Sequence, residues 1–163
     1  FAVNTGARDN NVCGLEWAWE QSVETIGRSV FVIPPEVFKS SRAHVVILND
    51  AAWSVIQAQR GLHQRWVFPH RGGRIETMNN TGWQAARKRA ELPGVRIHDI
   101  RHTFATRLRA AGVAREDRDL LLGHEGRGMP EHYASADIGR LVQLANRVLD
   151  RVETRAVLRV VNG

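Results

Sequence analysis

Four side chains suited to phosphoryl chemistry fall within the thirty-six residues from His98 to Tyr133: His98, Arg101, His124 and Tyr133 itself. A phosphoryl group in transfer spreads negative charge over its equatorial oxygens, so the protein's main task is to place fixed positive charge and hydrogen-bond donors around it. Arg101 and the two histidines are of the right type for that task, and Tyr133 carries an oxygen nucleophile. With His98 opening a helix, Arg101 follows three residues on and shares its face, so both can reach one phosphate. His124 stands just past a helix ended by Gly123, and Tyr133, the sole tyrosine, comes nine residues later.

Each of these residues also has a plainer use. A single tyrosine ordinarily packs its ring and hydrogen-bonds its hydroxyl, and a histidine past a helix end is ordinarily a surface residue; only the joint spacing favours chemistry. His102 approaches the same face as His98, but Phe104, Ala105 and Leu108 beside it must enter a core, and a structural hydrogen bond is expected for it. The segment HDIRH also approximates the zinc-protease pattern HExxH. Aspartate is one methylene too short to hold a general base against metal-bound water, Arg101 would set a positive charge beside Zn²⁺, and no third ligand is assigned. No metal and no cofactor are expected, in keeping with the lack of a Walker motif or carboxylate cluster.

The rest of the chain must position these groups. At 163 residues, 43% hydrophobic and 25% charged, it fits one globular domain with a real core. The net charge of +6 suits an anionic partner, and only Lys39 and Lys88 of the 23 basic residues are lysine. Arginine grips phosphate bidentately, although base-composition bias explains such an excess equally well. Cys13 is the only cysteine, which excludes an intrachain disulfide and Cys-rich zinc sites; a buried structural thiol in a reducing cytoplasm is expected. No apolar stretch spans a bilayer and no signal-peptide pattern opens the chain, so a soluble cytoplasmic protein with no membrane partner is expected.

An α+β fold follows from the periodicities: mainly helical, with a small three-stranded antiparallel sheet near the N-terminal end. After a turn at Thr5 and Gly6, a short helix from about Asp9 to Leu15 is expected, capped by Asn or Asp. Strands are expected near Trp17 to Gln21, Ser29 to Ile33 and Ala43 to Leu48, with PPEVFKSSR as the loop joining the last two. Asn49 or Asp50 caps a helix to about Arg60, with Ala52, Val55, Ile56 and Leu62 at helical spacing. A turn at Gly72 and Gly73 precedes helices at about Asn80 to Glu91, His98 to Ala111 with Gly112 after it, Arg115 to Leu122, Pro130 to Ala134, and Asp137 to Val152. The final TRAVLRVV reads as a strand or an arm.

HDIRHTFATRL, then LLGH, then HY at this distance resemble the active-site region of the tyrosine recombinases, the phage integrase family. TGAR at Thr5 to Arg8 resembles the first-arginine motif of that family, followed by its Gly-Leu-x-Trp segment, here Gly14 to Trp17. Lys39 falls in the strand-connecting loop where the family carries its catalytic lysine. The resemblance implies that Tyr133 attacks the scissile phosphate to form a 3′-phosphotyrosine, conserving bond energy so that rejoining needs neither ATP nor a divalent metal. It implies that Arg8 and Arg101 clamp the non-bridging oxygens, His124 donates to the same phosphate, His98 assists as base, and Lys39 protonates the leaving 5′-oxygen. Double-stranded DNA is the implied partner, with self-association into a tetrameric synapse.

Two departures stand against that pattern. Three residues after the first arginine the family commonly has an acid, and here Asn11 stands instead. The family's N-terminal core-binding domain is also missing, so residues 1–163 look like a catalytic-domain fragment. Type IB topoisomerase-like relaxation and a non-catalytic DNA-binding remnant of an integrase are the alternative readings. The apolar stripe Ile138, Leu141, Leu144, Ala145 and Val148 suits packing either on its own domain or on a neighbouring protomer.

Overall fold

A computed structural model describes residues 1–38, 43–124 and 135–150. Lys39, Tyr133, the helix expected at 130–134 and the tail from 151 onward lie outside the described residues. The chain opens with two short helices, α1 (Ala2–Thr5) and α2 (Asp9–Cys13). A 3-10 turn, Trp17–Trp19, leads into β1 (Glu20–Val23), so the first strand begins three residues later than the aromatic run suggests. β2 (Arg28–Ile33) and β3 (His44–Val46) complete an antiparallel sheet of order β1-β2-β3. The connection after β2 is not all loop: its prolines start a single helical turn, α3 (Pro35–Phe38).

β2 lies in the middle of the sheet, and its alternating side chains enter two different cores. Phe31 and Ile33 pack with Val46, Leu48, Leu15 and Val67 against Ala52 and Ile56 of α4 (Asp50–Gln59). Val30 faces the other way, into a cluster with Phe104, Leu108, Leu121, Leu141 and Ala145. A strand covered on both faces has no polar side to show, which is why the run Val30 to Ile33 is apolar throughout.

α4 begins as its sequence suggests, with Asn49 Oδ1 accepting from the Ala52 amide at 2.9 Å. Leu62 does not extend its apolar face; it lies beyond the helix and is exposed. A small hairpin follows, β4 (Pro69–His70) and β5 (Gly73–Arg74). Arg71 and Gly72 both have positive φ, 50° and 77°, the left-handed pair that lets a two-residue turn match the twist of its strands. α5 (Thr81–Arg89) is capped by Asn80 and has no fully buried residue.

The long helix α6 (Ile97–Ala110) buries Arg101, Phe104 and Leu108 along one face. At its start the Arg96 amide donates to Asp99 Oδ2 at 2.8 Å, supplying an orphan helix donor with an acceptor. Gly112, at φ 72°, turns the chain after its end. α7 (Arg115–Leu122) and α8 (Ser135–Asn146) close the second core. α8 packs on its own domain: Ile138, Leu141, Val142 and Ala145, with Val148 just after the helix, are buried among Val23, Phe104, Leu108 and Leu121. Polar ties reinforce the packing, with Asn146 Oδ1 accepting from the Asp50 amide at 2.7 Å and Arg140 reaching Asp117 at 2.8 Å. The helix stops six residues before Val152.

The Asn or Asp cap expected for α2 is absent, since Arg8 is its N-cap residue and makes no side-chain cap bond. Asp9 instead accepts from the Met78 amide at 2.8 Å and the Thr77 hydroxyl at 3.1 Å, tying the segment before α5 to the N-terminal helices. Cys13 is buried and donates to Asp9 at 3.3 Å; burial, then that carboxylate, pushes its thiol up to about 12, as suits an inert structural residue.

Truncating Leu141, which is fully buried, to alanine should cost about 2–5 kcal/mol in urea denaturation. The exposed Leu62→Ala should stay within about 0.5 kcal/mol. Equal small effects would contradict the packing of α8 on its own domain.

Candidate active site

Arg101 is buried within the first two turns of α6, where a guanidinium must find acceptors or remain a costly unpaired charge. Its Nη1 donates to the Gly6 carbonyl at 2.6 Å and its Nη2 to the Leu122 carbonyl at 2.7 Å. Two bonds to rigid backbone fix the plane of the fork and join three distant segments: the turn after α1, the start of α6 and the end of α7.

Gly6 is the residue that this turn requires. It sits at φ 65°, and a β-carbon there would stand 2.7 Å from Phe104 Cδ1 and 2.8 Å from Leu122 Cδ2. The Thr5 hydroxyl accepts from the Ala7 amide at 3.3 Å and helps shape the same turn, which ends at Arg8. Arg8 is exposed, and its charge adds to burial in pulling the Arg101 guanidinium down to about 10. Arg101 is still a cation at neutral pH. The Arg101 fork is fixed and Arg8 lies near enough to act on it electrostatically, so an anion such as a phosphodiester could accept from both guanidiniums.

His124 is positioned by the end of α7. Gly123 adopts φ 63°, its amide donates to the Leu120 carbonyl at 3.1 Å, and the His124 amide donates to the Asp119 carbonyl at 3.0 Å, a Schellman closure. The Gly-His pair therefore ends the helix and orients the histidine in one step. His124 Nδ1 lies 3.0 Å from Asp119 Oδ1. A carboxylate only accepts, so Nδ1 carries the proton of that bond, and Nε2 can donate to a phosphate only when the ring is an imidazolium.

His98 lies on the first turn of α6, exposed, one turn before Arg101. His102 is exposed too, and its ring meets that of His98 edge to face at a centroid distance of 4.5 Å, a ring contact in place of the hydrogen bond expected for it. Among the described residues no three His, Cys, Asp or Glu side chains gather as metal ligands. The backbone thus brings Arg8, Arg101 and His124 to one neighbourhood with His98 on the adjoining helical turn, while Lys39 and Tyr133 lie outside the described residues.

Two contributors escape inspection of the sequence. Asp119 could have been suspected from REDRDLLLGH, where an acid precedes the histidine by five residues. His44 gave no signal, being one polar residue in an apolar strand. It is 4% exposed, and burial, then Arg101 and Arg8, push its imidazole down to about 3. Asn11 is also buried, and its Nδ2 has no hydrogen-bond partner among the described residues. An acceptor-only carboxylate at that position would leave no such orphaned donor.

Residues 1–140 match the model of the phage integrase family. The chain belongs to that family. It is 35% identical over 161 residues to the integrase of Salmonella phage P22, an alignment covering 91% of this chain and 41% of that protein. It is 31% identical over 99 residues to the prophage integrase IntA of Escherichia coli strain K12, covering 59% of this chain and 24% of that protein. This integrase-family chain therefore spans well under half the length of these curated relatives. No solved structure matches it significantly. None of its described helices is long and apolar enough to cross a membrane.

His44 has a folded-state pKa near 3 against an ordinary 6.5, so the unfolded chain takes up a proton that the folded one refuses between those values. Its contribution to stability is complete above pH 6.5 and is lost as pH falls toward 3, at up to about 1.4 kcal/mol per pH unit. Urea titrations from pH 7 to 4 should show that slope reduced in His44→Gln; an unchanged slope would refute a neutral buried imidazole. Gly6→Ala should lose about 2–5 kcal/mol from the left-handed backbone and the collision with Phe104 together. Thermal or urea denaturation measures that loss.

Proposed function

We propose that this domain performs strand cleavage and rejoining in site-specific recombination of double-stranded DNA, through a covalent 3′-phosphotyrosine on Tyr133. The observation that carries the reading is the Arg101 fork, held by the Gly6 and Leu122 carbonyls with the charge of Arg8 acting on it and His124 two residues past one of its anchors. Membership of the phage integrase family supports the same chemistry.

The Tyr133 hydroxyl oxygen attacks the scissile phosphorus, the bond to the 5′-oxygen breaks, and the tyrosine proton leaves to a base, for which His98 is the candidate. Ionising a tyrosine of ordinary pKa near 10 at pH 7 costs about 4 kcal/mol, which bounds the help required. Neighbouring positive charge and a base supply it. Arg8 and Arg101 take the non-bridging oxygens, where charge accumulates, and His124 donates a hydrogen bond to the same phosphate. Lys39 gives its proton to the leaving 5′-oxygen. Reversal with a different 5′-hydroxyl rejoins the strand without ATP. Assembly of four copies on paired sites, in the cytoplasm where the DNA lies, completes the reading.

In the full-length protein, Tyr133→Phe should abolish the covalent adduct on a nicked DNA substrate and leave DNA affinity within about threefold, a change of under 1 kcal/mol. An adduct that persists would rule out this nucleophile. Arg101→Ala should slow single-turnover cleavage by about 10²–10³-fold, as for loss of an oxyanion donor, with a much smaller change in Kd. Parallel losses in both would contradict a transition-state role for the guanidinium.

A further inference from the structure

β3, which follows Lys39 in the sequence by five residues, delivers one polar side chain to the interior, His44, paired across the sheet with Ile33. Its ring lies directly against the helix-ending glycine of α7: a β-carbon added at Gly123 would stand 2.5 Å from both Cε1 and Nδ1 of His44. Gly123 has the Leu122 carbonyl, the acceptor for Arg101 Nη2, on one side and His124 on the other. One imidazole therefore lies against the single residue that stands between the second anchor of Arg101 and His124.

From this contact we infer that His44 is a positioning residue for the phosphate-binding groups, a neutral wedge that presses the end of α7 against Arg101 and couples the strand following Lys39 to that frame. The inference rests on the reaction proposed above. The ring suits the position by shape, since it is flat enough to lie on a glycine and long enough to reach it from the sheet. It suits the position by charge, since a cation there would stand close to Arg8 and Arg101, whose influence on the imidazole is already felt. Removing the ring opens space beside Gly123, so that the Leu122 carbonyl and the His124 backbone gain freedom to shift. A displacement of about 1 Å in such a frame costs on the order of a hundredfold in rate.

The test is single-turnover cleavage of a nicked DNA substrate at saturating concentration by the full-length protein, with DNA Kd and melting temperature measured for every variant. His44→Ala should lower the cleavage rate at least about tenfold, equivalent to 1.4 kcal/mol, while Kd changes less than about threefold. His44→Gln, neutral and of similar reach, should recover most of that rate, and His44→Lys, of similar reach but charged, should not. Gly123→Ala should also slow cleavage. Combined with His44→Ala it should lose less than the two single effects multiplied together, because the ring with which the new methyl collides is gone.

Wild-type cleavage at the assay temperature by a folded His44→Ala protein would overturn the inference, as would equal losses of rate and affinity. Should His44→Ala not fold, the contrast between the glutamine and lysine variants decides the matter: equal rates overturn the role. Absence of any covalent adduct with the wild-type protein would instead overturn the proposed reaction, and this inference with it.

Discussion

The guanidinium of Arg101 is the constraint around which the described part of this molecule is arranged. A buried cation must have its donors met, and two are met by main-chain carbonyls from segments 95 and 21 residues away in sequence. Main-chain acceptors are the stiffest available, so the same bonds that make the burial tolerable also fix where the rest of the fork points. Loosening either carbonyl would cost stability and aim together.

That requirement accounts for several local features that otherwise look unrelated. Gly6 is left-handed and pressed between Phe104 and Leu122 because its carbonyl must reach Arg101 from a turn too tight for a side chain. Gly123 is left-handed because α7 has to end where the Leu122 carbonyl is used, and the Schellman closure then sets the start of His124. The two glycines are conformational solutions at the two ends of one ionic problem. The apolar core formed by β2, α6, α7 and α8 keeps these ends at a fixed separation, and α8 contributes to it from within the same domain.

Much of this was legible in the chain. The helices from α4 to α7 follow their caps and apolar spacing to within a few residues, and the second and third strands stand where β-branched residues cluster. The errors have local causes. Trp17 to Trp19 form a 3-10 turn although aromatic residues favour strands, because packing of Trp17 near Phe31 and Arg60 sets the backbone there. Leu62 fits a helical period but lies past the helix end, in a stretch where Gly61 turns the chain. The pattern of α8 suited its own core and a neighbour's equally, since an amphipathic face carries no address for the surface that covers it.

Residue types and spacing by themselves picked out one arginine, Arg101, with His98, His124 and a single tyrosine at intervals suited to phosphoryl transfer, on an α+β frame with a small antiparallel sheet; Arg8 and Lys39 joined them through the family resemblance. The sites at which those residues act in DNA chemistry belong to the proposal, and Lys39 and Tyr133 enter it from the sequence. Tertiary structure decided the environment of the groups that it describes. It made Arg101 a buried fork on two carbonyls, gave His124 a carboxylate partner in Asp119, turned His102 toward His98 and set the unremarked His44 against Gly123. The physical reason is range. Caps and periodicities are interactions of neighbours in the chain, whereas desolvation and the acceptors that offset it depend on which distant segments close over a side chain.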